Sequence, residues 1–449
     1  MRRSAKILAV TLIAAAPAAH AQTAINLIAL RGLAPFSTLL NTPAGKAALA
    51  ANFTITGDIQ TGKANQPALQ PFPAQQAQAL KDAAITSANG YEFADALGTK
   101  LGKAYQSLTS VTATTGTNIS PNLANLIGYS FALTAADSAA AKTFFANETY
   151  VTKTSSAPVS PAAAAILTTA GGTTDVFGKA YHHPAGSKGA DPLGDSRPFQ
   201  TEPTVAYYND PDFFGAPSSN RDYLYGPAQN LIKSPAFPSG HTTYGFTESL
   251  LFGIMVPERF PQMLTRGAEY GNSRIVLGAH YAMDVIAGRT LATYDLAHLL
   301  AENPAYLNRK FGKAPLIKSY GAALQAAKAD LTAALTKACG ASIAVCAQAD
   351  TSRFSNPAAN EVFYESTQTY GLPVVYPATA NKVEDVAKIA PEAGDILTAA
   401  YPNLTLAQAD AILTQTEGPG GGFLDNGSAF GLYSRLDYYK ASIEAAAAK

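Results

Sequence analysis

The sequence predicts a mainly α-helical protein, and two observations lead there. Apolar residues recur at three-to-four spacing, as in Gln75–Leu108, where Ala79/Leu80, Ala83/Ala84, Phe93, Leu97 and Leu101 follow the helical period. Strand signals are scarce along the whole chain. The composition supplies the means to fold: 449 residues with 47% apolar and 14% charged residues can bury a large core, as one big domain or two to three smaller ones. Lysine plus arginine equals aspartate plus glutamate at 32 each, which argues against a bulk electrostatic partner such as nucleic acid or an anionic membrane. Any anion site must be local.

In chain order, residues 1–21 read as a secretory signal peptide, with Arg2, Arg3 and Lys6 before the apolar run Ile7–Ala16. Ala19-His20-Ala21 is the expected cleavage site, giving a periplasmic or secreted protein that begins at Gln22. The apolar run is shorter than the ~20 residues a membrane span needs, and no later stretch is long enough. Residues 22–74 read as short helices and loops. Helices are expected over Asn122–Ala141 and Pro161–Ala170, joined by a connection over Lys142–Pro161. Gly171–Lys233 is rich in glycine, proline, asparagine and aspartate and reads as a long loop, the kind that is usually functional or mobile. Its aromatic residues Tyr207, Tyr208, Phe213, Phe214, Tyr223 and Tyr225 fit either a rim over a site or anchors that pin the loop.

Three helices then follow, over His241–Met255, Pro261–Gly271 and Ser273–Leu300. Beyond Asn303 the expected helices are Leu316–Lys337 and a threonine- or asparagine-capped one within residues 402–417. Cys339 and Cys346, the only cysteines, suit a local disulfide in an oxidising compartment and do not have metal-site spacing. No metal site is expected: His182 and His183 have no third ligand to join them.

Chemistry gathers between Pro238 and Asp284. On the expected helix, His280 and Asp284 are four apart and share a face. A carboxylate there accepts from one ring nitrogen, fixes the tautomer and leaves the other nitrogen nucleophilic. Arg274 lies nearly two turns back, with a planar fork suited to two oxygens of a phosphate. Ser239 and Gly240 open a helix whose first-turn N–H groups form an anion cradle. His241 follows them, placed to deliver a proton to a leaving alkoxide. Together these parts describe phosphoryl transfer in which cations and N–H groups neutralise the phosphate, one histidine attacks and another protonates.

Pro238-Ser239-Gly240-His241, followed by Ser273-Arg274, His280 and Asp284 at their spacing, resembles the signature of the type 2 phosphatidic acid phosphatase superfamily. That superfamily includes bacterial non-specific acid phosphatases and shares its site with vanadium haloperoxidases. The resemblance implies an all-α helical bundle over residues 22–303, with its motif core at 179–300 and a mostly helical extension, 304–449, packing on it. It implies that His280 is the nucleophile that forms a phosphohistidine, that Asp284 orients it and that His241 is the general acid. Arg197, Arg274, Ser239 and Gly240 would bind the phosphoryl oxygens. The family's first motif, lysine, six intervening residues and then arginine-proline, is not kept here. Lys188 precedes Arg197 by eight intervening residues and Lys179 by seventeen. Lys179 ends the helical-looking run VFGKAYHH and is favoured; Lys188 is the alternative.

The implied function is an exported phosphatase for phosphomonoesters, small-molecule or lipid, that needs no metal cofactor. A vanadate-dependent haloperoxidase would use the same residues with vanadate bound at His280, and a non-catalytic phosphate-binding protein would keep only the anion site.

Overall fold

Four long helices surround the chemistry: Pro121–Asn147, Gly240–Met255, Phe260–Val276 and Ala282–Leu300. They belong to a computed structural model that describes residues 24–86, 89–112, 116–147, 149–151, 156–202, 204–311 and 314–448. The expected signal peptide lies outside the described residues. Gly240–Met255 is the innermost helix, with every residue buried except Tyr244, and it packs against the other three. Close approach is possible because Gly288 has no side chain; a Cβ there would lie 2.6 Å from the Ser239 carbonyl oxygen.

The architecture is mostly helical. Among the described residues the strands form three short antiparallel pairs, the third joining Asn209–Pro211 to Pro217–Ser219. The long loop also holds the short helices Val176–Ala180, Pro198–Thr201 and Asn220–Leu224. No helix among the described residues is long and apolar enough to cross a membrane.

Two helix boundaries differ from the sequence reading in ways that shape the site. The helix expected to end at Ala141 runs on to Asn147, because Phe144 and Phe145 are fully buried and extend its apolar face. Lys142 therefore sits on a helix and not in a connection. The single helix expected over Ser273–Leu300 is two, ending at Val276 and restarting at Ala282. Between them Gly278 adopts φ +85°, and the N–H groups of Ala279 and His280 both turn back to the Arg274 carbonyl, at 3.1 and 3.2 Å. His280 is thus outside both helices.

Beyond Asn303, Tyr320–Cys339 packs on Pro121–Asn147, while Pro357–Thr369 and Tyr438–Ala447 pack on Phe260–Val276. Apolar side chains from both parts of the chain, Phe252, Met263, Leu331 and Tyr439 among them, share one core. Cys339 and Cys346 form the expected disulfide, closing the loop between Tyr320–Cys339 and Ile343–Gln348. Thr405 caps Leu406–Gln415, its hydroxyl accepting from the Gln408 N–H.

Buried carboxyls make the fold sensitive to alkali. Asp137 and Asp295 face each other from two of the central helices, with Asn26 donating to Asp137 and with Arg309, Tyr294, Tyr306 and Glu392 around them. Burial pushes Asp137 up to about 7, and burial together with Asp137 raises Asp295 well above 3.8. Burial likewise pushes Glu248 up to about 8 and Asp191 to about 7. An acid whose folded pKa is raised keeps its proton longer in the folded state. Its stabilisation is complete below its unfolded pKa and is lost as pH rises through the folded value. Asp95 and Asp350 act in the opposite sense: burial alone would raise them, but Arg266 and Arg353 lower Asp95, and the Ser352 N–H followed by Arg259 lowers Asp350, so their contribution is lost only on strong acidification. The expected result is a melting temperature highest near pH 5 and falling between pH 5 and about 8. A melting temperature that climbs over that interval contradicts this assignment.

Candidate active site

His280 and Asp284 meet although they do not share a helix. Asp284 stands in the first turn of Ala282–Leu300, and its Oδ2 accepts from the Tyr281 N–H at 2.9 Å and from His280 Nδ1 at 3.0 Å. Arg197 Nη1 donates to His280 Nε2 at 2.9 Å. A guanidinium only donates, so Nε2 carries the lone pair and Nδ1 the proton. That is the tautomer in which Nε2 is the nucleophilic nitrogen.

Arg197 is fully enclosed and heavily bonded. Besides His280 it donates to the carbonyls of Ser234 (2.5 Å), Pro235 (3.0 Å) and Ala279 (2.8 Å), and to the Ser234 hydroxyl (3.0 Å). It ties the segment before Pro238 to the segment before His280, which fixes the distance between the two motifs.

Arg274 is also fully buried, but only its Nη1 has a partner, a long 3.4 Å contact to the Asp82 carbonyl. Its Nε and Nη2 find no acceptor among the described residues. Two guanidinium nitrogens out of water and without acceptors are costly unless an anion meets them. At the start of Gly240–Met255, the Ser239 Oγ caps the helix, accepting from the Thr242 N–H at 3.3 Å and its hydroxyl at 2.9 Å. Its own proton stays available to donate. The N–H groups of Gly240 and His241 have no acceptor within the helix.

Electrostatically the cluster is strongly positive. Burial, then Arg274 and Arg197, hold His241 well below its ordinary pKa, a hydrogen bond with the Ala83 backbone working the other way. Burial, then Arg197 and Lys142, do the same to His280. Burial raises the pKa of Asp284, and the Tyr281 N–H, then Lys142 and Arg197, pull it back toward the charged carboxylate. For His280, burial and the neighbouring cations favour the neutral ring, the form in which Nε2 keeps its lone pair.

Neither expected lysine reaches this cluster. Lys179 is exposed, its Nζ donating to the Thr173 hydroxyl (2.7 Å) and the Thr174 carbonyl (2.6 Å), and Lys188 lies exposed in the loop. The lysine that does is Lys142, which the sequence reading missed. Its Nζ donates to the carbonyls of Pro235 and Ala236, both at 2.9 Å, and Pro235 is the carbonyl it shares with Arg197. Burial and Arg197 lower its pKa, while Asp284 opposes them. The one signal in the sequence was a lysine just before the buried phenylalanine pair of a helix that ends at Asn147, six residues beyond the expected Ala141.

The loop aromatics divide. Tyr223 is buried, and the Tyr208 hydroxyl donates to the Val276 carbonyl at 3.3 Å, so both anchor the loop. Tyr207 and Phe214 are exposed, and Arg221 lies 4.5 Å from the Tyr207 ring centroid.

The sequence profile of the PAP2 superfamily matches residues 186–301, the segment that holds Arg197, Ser239, His241, Arg274, His280 and Asp284. A non-specific acid phosphatase of Salmonella typhimurium is 42% identical over 69 residues, covering 15% of this chain and 28% of that protein. An acid phosphatase of Zymomonas mobilis is 41% identical over 71 residues, 16% of this chain and 27% of its own length. A non-specific acid phosphatase of Providencia stuartii is 28% identical over 148 residues, 30% of this chain and 58% of that protein. The chain thus spans between 27% and 58% of the length of these relatives.

Proposed function

We propose, from a segment of the PAP2 superfamily and the charged cluster folded around it, that this chain is an exported phosphatase for phosphomonoesters. The observation that carries the reading is Arg274, fully buried, with Nε and Nη2 lacking an acceptor beside the helix start at Gly240. A phosphate dianion answers both needs, with two oxygens on the guanidinium fork and others toward the Ser239 hydroxyl and the Gly240 and His241 N–H groups. The names of the matched relatives, all acid phosphatases, support the same chemistry.

In the mechanism, the dianion replaces Arg197 as the neighbour of His280 Nε2, which attacks phosphorus. The bond to the ester oxygen breaks, and His241 gives that oxygen a proton. Binding a dianion among Lys142, Arg197 and Arg274 offsets the positive field that depresses His241, so the proton is present when needed. Water then attacks the phosphohistidine, His241 takes the proton, and inorganic phosphate leaves. Asp284 holds the Nδ1 proton throughout and stabilises the developing imidazolium. The neutralising charge comes from the chain's own arginines and lysine, so we expect no metal requirement.

The test is phosphate release from p-nitrophenyl phosphate at acidic pH by protein starting at Gln22, before and after dialysis against a chelator. Release that survives dialysis and is inhibited by vanadate is expected. Halide oxidation that appears only with vanadate, with no ester hydrolysis, sinks the reading. Replacing Lys142 with methionine should lower kcat/KM by about tenfold to a hundredfold, as losing one cation of a phosphoryl clamp does. Lys179→Met, by contrast, should leave kcat/KM unchanged. The same pair of kinetic measurements checks which lysine serves the site.

A further inference from the structure

The second part of the chain reaches the active site through a line of charges that ends at Asp82. Asp82 follows the helix Phe72–Lys81 and opens a turn that runs to Ala84. The Asp82 carbonyl accepts from Arg274 Nη1 at 3.4 Å, the Ala83 backbone hydrogen-bonds the His241 ring, and the Ala84 carbonyl accepts from the Tyr270 hydroxyl at 3.2 Å. One turn therefore touches both the arginine and the proton-donating histidine.

That turn is gripped by its own carboxylate. Arg266 clamps Asp82 through two nitrogens, at 2.5 and 3.1 Å, and the Ser273 hydroxyl donates to Asp82 Oδ2 at 2.7 Å. Arg266 is in turn held by Asp95 at 3.1 Å and Glu269 at 3.4 Å. Both of these carboxylates are bridged by Arg353, at 2.7 Å to Asp95 and at 2.6 and 2.8 Å to Glu269. Arg353 lies outside the PAP2-matched segment, which ends at residue 301. Counting Arg274, the line holds three arginines and three carboxylates, and Arg274 is the arginine without a carboxylate to itself.

We infer that the Asp82–Ala84 turn sets the position of Arg274 and His241, and that Arg353, through Asp95, Glu269 and Arg266, holds that turn in place. Arg353 and Asp82 are then positioning residues, and the region beyond Asn303 completes the phosphate site. The physical reason is that a buried arginine fork with one long contact is poorly located by itself. The turn beside it is fixed largely by charges, with Ser273 and Gln78 adding neutral hydrogen bonds to Asp82, and each unpaired buried charge is costly. Asp82 and Arg266 are enclosed, and the partly exposed Asp95 and Arg353 join them through short ion pairs, so a displacement at Arg353 is passed to the turn.

The inference rests on the phosphatase reading, and the experiment separates the two. Arg353→Met, Arg353→Lys and Asp82→Asn are compared with the unaltered protein for kcat and KM with p-nitrophenyl phosphate, for the Ki of inorganic phosphate, and for the pH profile of kcat/KM. Arg353→Met should raise the phosphate Ki about three- to thirtyfold and shift the acidic limb of the profile, with Arg353→Lys recovering part of the loss. Asp82→Asn should do more, since it loosens the turn directly, and it decides the matter if Arg353→Met does not fold. Folded variants with a lower melting temperature but unchanged Ki, kcat and pH profile overturn the inference and leave the phosphatase reading intact. An unaltered protein that neither hydrolyses the ester nor binds phosphate overturns the phosphatase reading and this inference with it.

Discussion

Replacing His280 with alanine should abolish turnover, lowering kcat by at least about a thousandfold while leaving the protein folded. Its Nε2 faces the Arg197 guanidinium at 2.9 Å, and its tautomer is set from the other side by Asp284 at 3.0 Å. Affinity for inorganic phosphate should fall much less, because Lys142, Arg197, Arg274 and the helix start all remain. The check is steady-state kinetics beside phosphate binding by calorimetry. A variant that still turns over at a comparable rate would remove the covalent mechanism. Asp284→Asn should lie between: the geometry is kept, but the amide presents no charge to the developing imidazolium, so about a tenfold to thousandfold loss is expected.

The second large effect is expected at Arg274. Arg274→Ala should lower kcat/KM by about a hundredfold to a thousandfold, the size typical of one preorganised donor to a transition-state oxyanion. Arg274→Lys should rescue little, since an ammonium cannot present two parallel donors to two phosphoryl oxygens. Stability should move the other way. The Nε and Nη2 groups are enclosed without acceptors, so a methionine at this position relieves a desolvated charge. Arg274→Met should therefore melt at or above the temperature of the unaltered protein while being nearly inactive. A normal kcat/KM in Arg274→Ala or Arg274→Met would show that the buried fork does not hold the substrate.

The site was legible where chemistry is contiguous in the chain. Ser239, Gly240 and His241 announce a helix start, and Arg274, His280 and Asp284 announce an imidazole with a carboxylate and an arginine near it. The pairing of His280 with Asp284 was right, but its cause was not. A shared helix face was expected, whereas the N–H groups of Ala279 and His280 fold back on Arg274 and the carboxylate reaches across a helix start. Spacing of four serves both geometries, so sequence could not separate them.

Lys142 was invisible for a different reason. It belongs to the site through the carbonyls of Pro235 and Ala236, which are close to it only in the folded bundle. The polar residues after Phe145 also disguised the end of its helix. Asp82 and Arg353 are harder still, for they act by gripping other charges. No local pattern marks a carboxylate that holds an arginine far along the chain. The mainly helical class, by contrast, follows from periodicity that local physics enforces, and the disulfide from two cysteines close enough to leave no other pairing.

The central claim is that a phosphoryl group passes through His280. Acid-labile, alkali-stable phosphate on this residue can be sought directly by mixing the protein with a reactive aryl phosphate, quenching within the first turnovers in alkali, and mapping the modified peptide by mass spectrometry. The account predicts one phosphoryl group on the peptide that contains His280, absent from His280→Ala and more abundant in His241→Ala with an activated leaving group, because that group departs without a proton while the attacking water still needs His241 to take one from it. Phosphate found on another residue, or rapid turnover with no phosphoenzyme at any quench time, would contradict it.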